Sequence, residues 1–388
     1  MFRCRTVVSI TLFVVFASVP ALAQGVYFMG LGDLDGGNFN SQAYGISADG
    51  SWVAGASNSF DGGFGGEEQA FRWSPGTGMV GLGDLPGDAE FSHANAISPD
   101  GAFVVGVSNS SFAAPEAFLW SEAGGMIGLG DLPGGLTKSR AYGVSRDGSV
   151  VVGNSHSYAS GDLGAEAFRW TAEEGMVGMG DLPGGSFSSG ASAVSADGSV
   201  IAGSGSSDRG NEAFRWTESE GMVALGDLDG SLVRSQVVGM SDNGAFIVGQ
   251  GLSDDGPEAF LWSEDEGMIG LGDLSGGIHL SNALDVSDDG SVVVGVSLGE
   301  GSIAFLWERG KGMRRMEDVL LDYGIDISEY GWFNLQSATG VSADGRTIIG
   351  FGAGPNGPEA WIAHIPTPAT LAPLAAMGLL GMRRRREQ

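Results

Sequence analysis

A three-part phrase recurs seven times along the 388 residues: an S-x-D-G turn, an A-F-[R/L]-W stretch and an L-G-D-L stretch. Its period of about 45 to 50 residues is that of radial or stacked repeats. The turns begin at Ser47, Ser98, Ser145, Ser195, Ser241, Ser287 and Ser342, with Asn243 standing for Asp in the fifth. The aromatic stretches end at Trp73, Trp120, Trp170, Trp216, Trp262 and Trp307, and a degenerate last copy reads Ala360-Trp361-Ile362-Ala363. The L-G-D-L element begins at Leu31, Leu82, Leu129, Met179, Leu225, Leu271 and Met316, so one copy precedes the first turn and none follows the last aromatic stretch.

That offset predicts a closed ring. In a circle of four-stranded sheets, an N-terminal strand can complete a last sheet whose other three strands come from the C-terminus, which removes an exposed edge. Residues 26–34 would then lie beside 360–363. In the third repeat the strands are expected at 141–144, 150–153, 167–170 and 176–182, with Asp147-Gly148 as a two-residue hairpin turn. Helical periodicity is nearly absent and Gly, 69 of 388 residues, punctuates the strands. The expected fold is all-β, a seven-bladed β-propeller whose N-terminal strand closes the last blade, with the repeat Trp side chains buried between blades.

Spacing locates the irregular parts. The distance from the L-G-D-L start to the next turn Ser is 16 in six copies, and from Trp to the next L-G-D-L start it is 9 in all six. From turn Ser to Trp it varies between 20 and 26, and from Met316 to Ser342 it is 26, ten more than its counterparts. Both variable connections open on one face of an up-and-down blade, where repeat scaffolds display binding loops. Asp322, Tyr323, Asp326, Glu329, Tyr330 and Trp332 in the insertion are therefore the candidate ligand-binding residues. The competing reading is that Tyr330, Trp332 and Phe333 plug or cap the ring.

Catalysis would need residues that break the sevenfold pattern. His93, His156 and His279 lie in different repeats, the one G-x-S-x-G match, at 295–299, falls in the repeated V-x-G stretch rather than at a strand-to-helix elbow, and no H-E-x-x-H or phosphate-cradling motif occurs. Asp322 with Glu329 is the remaining acid/base candidate, for a propeller-type glycosidase or polysaccharide lyase acting on extracellular glycans. The Asp of each L-G-D-L (Asp33, Asp84, Asp131, Asp181, Asp227, Asp273 and, at the last start, Asp318) and of each S-x-D-G reads as turn-forming. A calcium ion needs six to eight converging oxygens, and one carboxylate per blade does not supply them. No metal or cofactor is expected, and the chain reads as a non-enzyme.

The two ends address the protein. Arg3 and Arg5, an apolar run, and Ala21 and Ala23 before Gln24 make 1–23 a signal peptide. Cys4, the only cysteine, goes with it. Residues 24–365 are the repeat domain. Segment 366–388 opens with Pro366-Thr367-Pro368, continues through a short apolar helix and ends in Arg383, Arg384, Arg385 and Arg386. Its 14-residue apolar run, 369–382, gives about 21 Å of helix, short of the roughly 30 Å of a hydrocarbon core, so membrane insertion would be transient. Between the terminal charges lie 46 acidic and 13 basic residues, a net −33. Such a surface repels nucleic-acid phosphates and anionic lipid, and leaves divalent cations, basic proteins or neutral glycans as partners, an extracellular glycan or an envelope protein among them.

Two resemblances add to this. The repeats resemble the HAF family of probable extracellular repeats, with an Ala-Phe pair before Trp, a G-M-x-x-L-G-x-L segment and an S-x-D-G-x-x-V-x-G hairpin across 26–363. Glu stands where the family has His, as in Glu116-Ala117-Phe118 and Glu166-Ala167-Phe168. The tail resembles the PEP-CTERM sorting signal of Gram-negative bacteria, with Thr367 in place of Glu. Together they imply an exported cell-surface or matrix binding or structural module, processed by an exosortase-like enzyme.

Overall fold

The structure, a computed structural model, describes residues 25–366 apart from 37, 60–67, 88–90, 111–113, 162–163, 230–231, 277 and 300. The signal segment with Ala21 and Ala23, and the tail from Thr367 through Pro368 to the arginines at 383–386, lie outside the described residues.

Seven antiparallel sheets follow one another around a central channel as the blades of a β-propeller. Blade 3 shows the plan, with inner strand Gly134–Val144, then Val151–Ser157, Glu166–Thr171 and outer strand Gly175–Gly178. Blade 4 adds a two-residue strand, Val233–Arg234, parallel to Gly210–Thr217.

Two local expectations are corrected. The hairpin at Ser145 is wider than two residues, because Ser145 N–H donates to Val150 O (2.9 Å) and Val150 N–H donates to Ser145 Oγ (3.0 Å). The serine hydroxyl replaces one rung of the ladder, while Gly148 takes the left-handed φ of 69°. The outer strand stops at Gly178, and L-G-D-L leaves the sheet at Gly180 (φ 82°) to push its apolar residues between blades; Leu182 is buried there.

Close approach explains the V-x-G of each second strand. A Cβ on Gly153 would lie 1.9 Å from Arg140 O on the inner strand, a space only glycine fits. The fully buried aromatic is the repeat Phe: Phe71, Phe118, Phe168, Phe214, Phe260 and Phe305 are wholly enclosed. Trp73 and Trp307 are buried as expected, whereas Trp120, Trp170, Trp216 and Trp262 are half-buried and packed on the edges of the inter-blade clusters. Trp361 fills the Phe slot of blade 7, opposite Gly350 as Phe71 is opposite Gly55.

Ring closure is the one the repeat offset predicts. Strand Tyr27–Gly30 pairs with Pro358–His364, Tyr27 opposite His364 and Gly30 opposite Trp361, and Leu31 N–H extends the seam to Ala360 O (2.9 Å). A buried serine rivets each blade to the next. Ser41 Oγ accepts from Ala360 N–H (3.1 Å) and donates to Gly32 O (2.6 Å). Ser92, Ser139, Ser189, Ser235 and Ser281 repeat that pair of bonds at the following junctions.

The junction between blades 6 and 7 is built differently. Helix Met316–Asp322 and the 3-10 turn Ile327–Tyr330 occupy it. Met316 and Val319 stand where the two leucines of L-G-D-L stand elsewhere, three residues apart and so on one face of the helix. They join Leu320, Ile325, Ile327 and Trp332 in a cluster with Phe28 and Trp361.

Candidate functional site

The insertion does not gather its predicted residues into one site. Trp332 is 5 % exposed and meets the Phe28 ring edge-on at 5.3 Å, so it is a core side chain. Tyr330 also touches Phe28, at 6.3 Å, from an exposed position. Asp322 pairs with Arg314 (2.9 Å), and Tyr323 donates to Pro366 O (3.0 Å) near the opposite face. Asp326 caps the 3-10 turn by accepting from Ser328 N–H (2.9 Å), and Glu329 is exposed. None of the six lines the central channel. The plugging role expected of the aromatics falls to Trp332, which seals a blade junction rather than the ring; Phe333 is 80 % exposed.

The repeated carboxylates hold turns. Asp147 Oδ1 accepts from Ser149 N–H (3.0 Å) and Ser145 Oγ (2.9 Å), and Asn243 Oδ1 does the same without charge toward Ala245 N–H (2.9 Å). Asp181 accepts from the backbone amides of Leu182, Ser188 and Ser206. The Glu that stands in the place of His clamps the L-G-D-L glycine: Glu116, Glu166, Glu258 and Glu359 accept from Gly130, Gly180, Gly272 and Gly32. Among the described residues no three His, Cys, Asp or Glu side chains converge as a metal set would.

What departs from sevenfold equivalence lines the channel. Each inner strand skips one residue in its pairing, between Ala43 and Gly45 in blade 1 and at the matching place in all seven blades. A β-bulge of this kind leaves its extra residue unpaired and re-aims it. The skipped residues are Tyr44, Asn95, Tyr142, Ser192, Val238, Leu284 and Thr339, and all seven line the channel. Three of them bond across to the next blade: Asn95 Nδ2 donates to Ala141 O (2.8 Å), Ser192 Oγ to Val237 O (3.0 Å) and Thr339 Oγ1 to Ala43 O (2.8 Å).

These seven side chains form a waist between two chambers, since they border both. The wider chamber, about 820 Å³, opens on the crossover face and is lined further by Asn154, Ser188, Ser204, Asn211, Gln236 and Phe351. The narrower, about 160 Å³, lies toward the S-x-D-G face. There the residues after the turn serines link blade to blade through their backbones, for example Ala48 N–H to Pro99 O (2.9 Å), Ala196 N–H to Asp242 O (2.7 Å) and Ala343 N–H to Ala48 O (3.0 Å).

The two chambers differ in charge. Among the described residues no Asp, Glu, Lys, Arg or His lines the wide one, in a chain of net charge −28. Asp242, Asp285 and Asp288 border the narrow one. Asp285 occupies a place held by Gly45, Ala96, Gly143, Ala193, Gly239 and Gly340 in the other blades. Although its surface touches the chamber, protein surrounds its carboxyl, and burial pushes it up to about 7 against the lowering pull of the Val341 and Val286 amides. Burial and the Asp288 charge raise Asp242 to about 6, opposed by Arg146.

At the waist, Tyr44 donates to Gln42 Oε1 (2.6 Å) and packs on the His93 ring at 4.6 Å, while His93 Nδ1 lies 3.3 Å from Glu68 Oε2. Burial, with Glu68 adding to it, pushes the Tyr44 hydroxyl up to about 12, so it stays protonated.

Sequence reasoning missed the channel ring. Its signal is present: three residues before each turn serine, one position takes six residue types while the residues on either side of it stay small in most copies.

No protein-family model matches the chain, and no curated protein matches it. Solved structures do. An oligogalacturonate lyase in complex with manganese aligns at TM-score 0.52 and 13% identity, covering 89% of this chain and 97% of that one. Oligogalacturonate lyase from Vibrio parahaemolyticus gives TM-score 0.52 and 12% identity over 89% of this chain and 98% of that one. TolB from Acinetobacter baumannii aligns at TM-score 0.45 and 14% identity, over 69% of this chain and 63% of that one. At these identities the likeness is one of fold.

Proposed function

We propose that the protein is an exported binding module of the cell surface or extracellular matrix that takes its ligand into the wide chamber of the channel. One observation carries this reading. The scaffold repeats its turns, clamps and rivets around the ring, while the seven bulged side chains at the waist are of six different kinds. A purely structural disc has no use for that variety.

Export rests on the Arg3/Arg5 and Ala21/Ala23 pattern and on the tail from Pro366 to Arg386, whose resemblance to a sorting signal implies an exosortase-like partner and brief membrane passage. Binding rather than turnover is favoured because the described residues of the wide chamber offer no carboxylate pair, and one of its two phenols, Tyr44, is held protonated.

Two measurements test the proposal. Fractionation of cells making the full chain should place it in the envelope or medium, with an intact mass lacking residues 1–23. Purified protein should be retained on envelope and matrix material, and Ser192→Trp or Val238→Trp, each filling the waist, should abolish retention, the second without lowering Tm. Retention unchanged in both variants would remove the channel from the reading.

A further inference from the structure

Resting on the channel as the site, we infer that its ligand is an uncharged oligosaccharide, entering by one end. The first argument is what the wide chamber lacks. Recognition of a uronate, sulfate or phosphate group uses Lys or Arg, and the described lining has neither. An anion threaded past the waist would also meet Asp242, Asp285 and Asp288. A cationic chain would find no carboxylate among the described residues of the wide chamber to pair with.

The second argument is what the lining offers. Tyr142, Asn154 and Gln236 make no side-chain hydrogen bond within the described residues and border the open volume, so a phenol and two amides are available to donate and accept. Ser204 Oγ accepts from Val237 N–H (3.0 Å), which leaves its hydroxyl hydrogen free. Tyr44, Tyr142 and Phe351 add aromatic surface to the same wall. Neutral hydroxyl and amide groups interleaved with rings match a sugar, which carries hydroxyls at its edges and C–H groups on its faces. The volume of about 820 Å³ falls within the roughly 300–1,000 Å³ of small-ligand sites.

The third argument is shape. Past the waist the channel holds only about 160 Å³, and backbone bonds tie successive blades together at its far end. A chain end fits a chamber that narrows so sharply; an internal stretch of a long polymer would have to thread the constriction, and a cyclic one could not enter it.

Calorimetry on the full chain tests this with cellohexaose, laminarihexaose, mannohexaose and maltohexaose, set against hexagalacturonate, hexaglucosamine and cyclomaltohexaose. At least one linear neutral hexamer should bind. Tyr142→Ala and the pair Asn154→Ala with Gln236→Ala should each weaken it tenfold or more at unchanged Tm. A preference for hexagalacturonate, hexaglucosamine or the cyclic sugar, no binding of any neutral hexamer, or neutral binding indifferent to these substitutions would overturn the inference. If that happens while Ser192→Trp still abolishes retention on envelope material, the channel remains the site and the sugar assignment alone falls.

Discussion

Glu359 Oε1 accepts the amide hydrogen of Gly32 at 3.1 Å, joining residues 327 positions apart across the seam of the ring. The same clamp acts within single blades at Glu116 and Gly130, and at Glu166 and Gly180. At the seam it holds the two ends of the chain. Glu359→Ala leaves a partly buried amide without a partner, and denaturant unfolding should show a loss of about 1–3 kcal/mol. Glu359→Gln, which keeps an acceptor oxygen, should restore most of it.

Removing residues 26–34 exposes the edge of Pro358–His364. Such an edge pairs with other chains. The truncated protein should aggregate at concentrations where the full chain is monodisperse, and an unchanged Tm would contradict the zipped ring.

Ser139 is 1 % exposed and satisfies Ala117 N–H and Gly130 O together. Ser139→Ala orphans both, and should lower stability by about 1–3 kcal/mol in the same assay. Ser281→Ala, three blades away, should cost a similar amount, and the double variant should show the sum to within about 0.5 kcal/mol.

The narrow end of the channel sets a pH dependence. Asp285 and Asp242 have folded-state values near 7 and near 6, above those of an unfolded Asp. The folded protein thus binds protons that the unfolded chain has released, so their stabilising contribution is full below about pH 4 and is lost as pH rises through 6 and 7. Replacing the intruding residue by its counterpart elsewhere, Asp285→Ala, should flatten Tm between pH 4 and 8. It should also raise stability at pH 8 by on the order of 2 kcal/mol. A slope unchanged in the variant would assign the titration elsewhere.

Within the insertion, Trp332→Ala should cost about 3–5 kcal/mol, as expected for emptying a packed aromatic site. Glu329→Ala, at an exposed position, should stay within about 0.5 kcal/mol. Equal effects would mean the helix and 3-10 turn do not seal the blade junction.

The blade count and the head-to-tail seam were legible because each repeat carries its own turn and strand signals, and the surplus L-G-D-L copy at Leu31 has a single place to go. Tyr44 and Asn95 were not legible as site residues. A bulge has no propensity signature, and only seven inner strands brought to one axis reveal that these side chains face each other. Ser41 and Ser92 recur six residues before their turns, but a serine in a strand reads as solvent-facing until the neighbouring blade buries it. Trp332 misled for the opposite reason: its partner Phe28 lies about 300 residues away, so local sequence offered no sign that the ring would turn inward.

Tyr27 and His364 are cross-strand partners, and Ile365 N–H bonds to Arg346 O immediately after the last turn, so the chain enters and leaves on the face that carries the narrow chamber. Any tether at either terminus therefore fixes the disc's polarity. Held by its ends, the molecule stands with its wide chamber turned away from the tether.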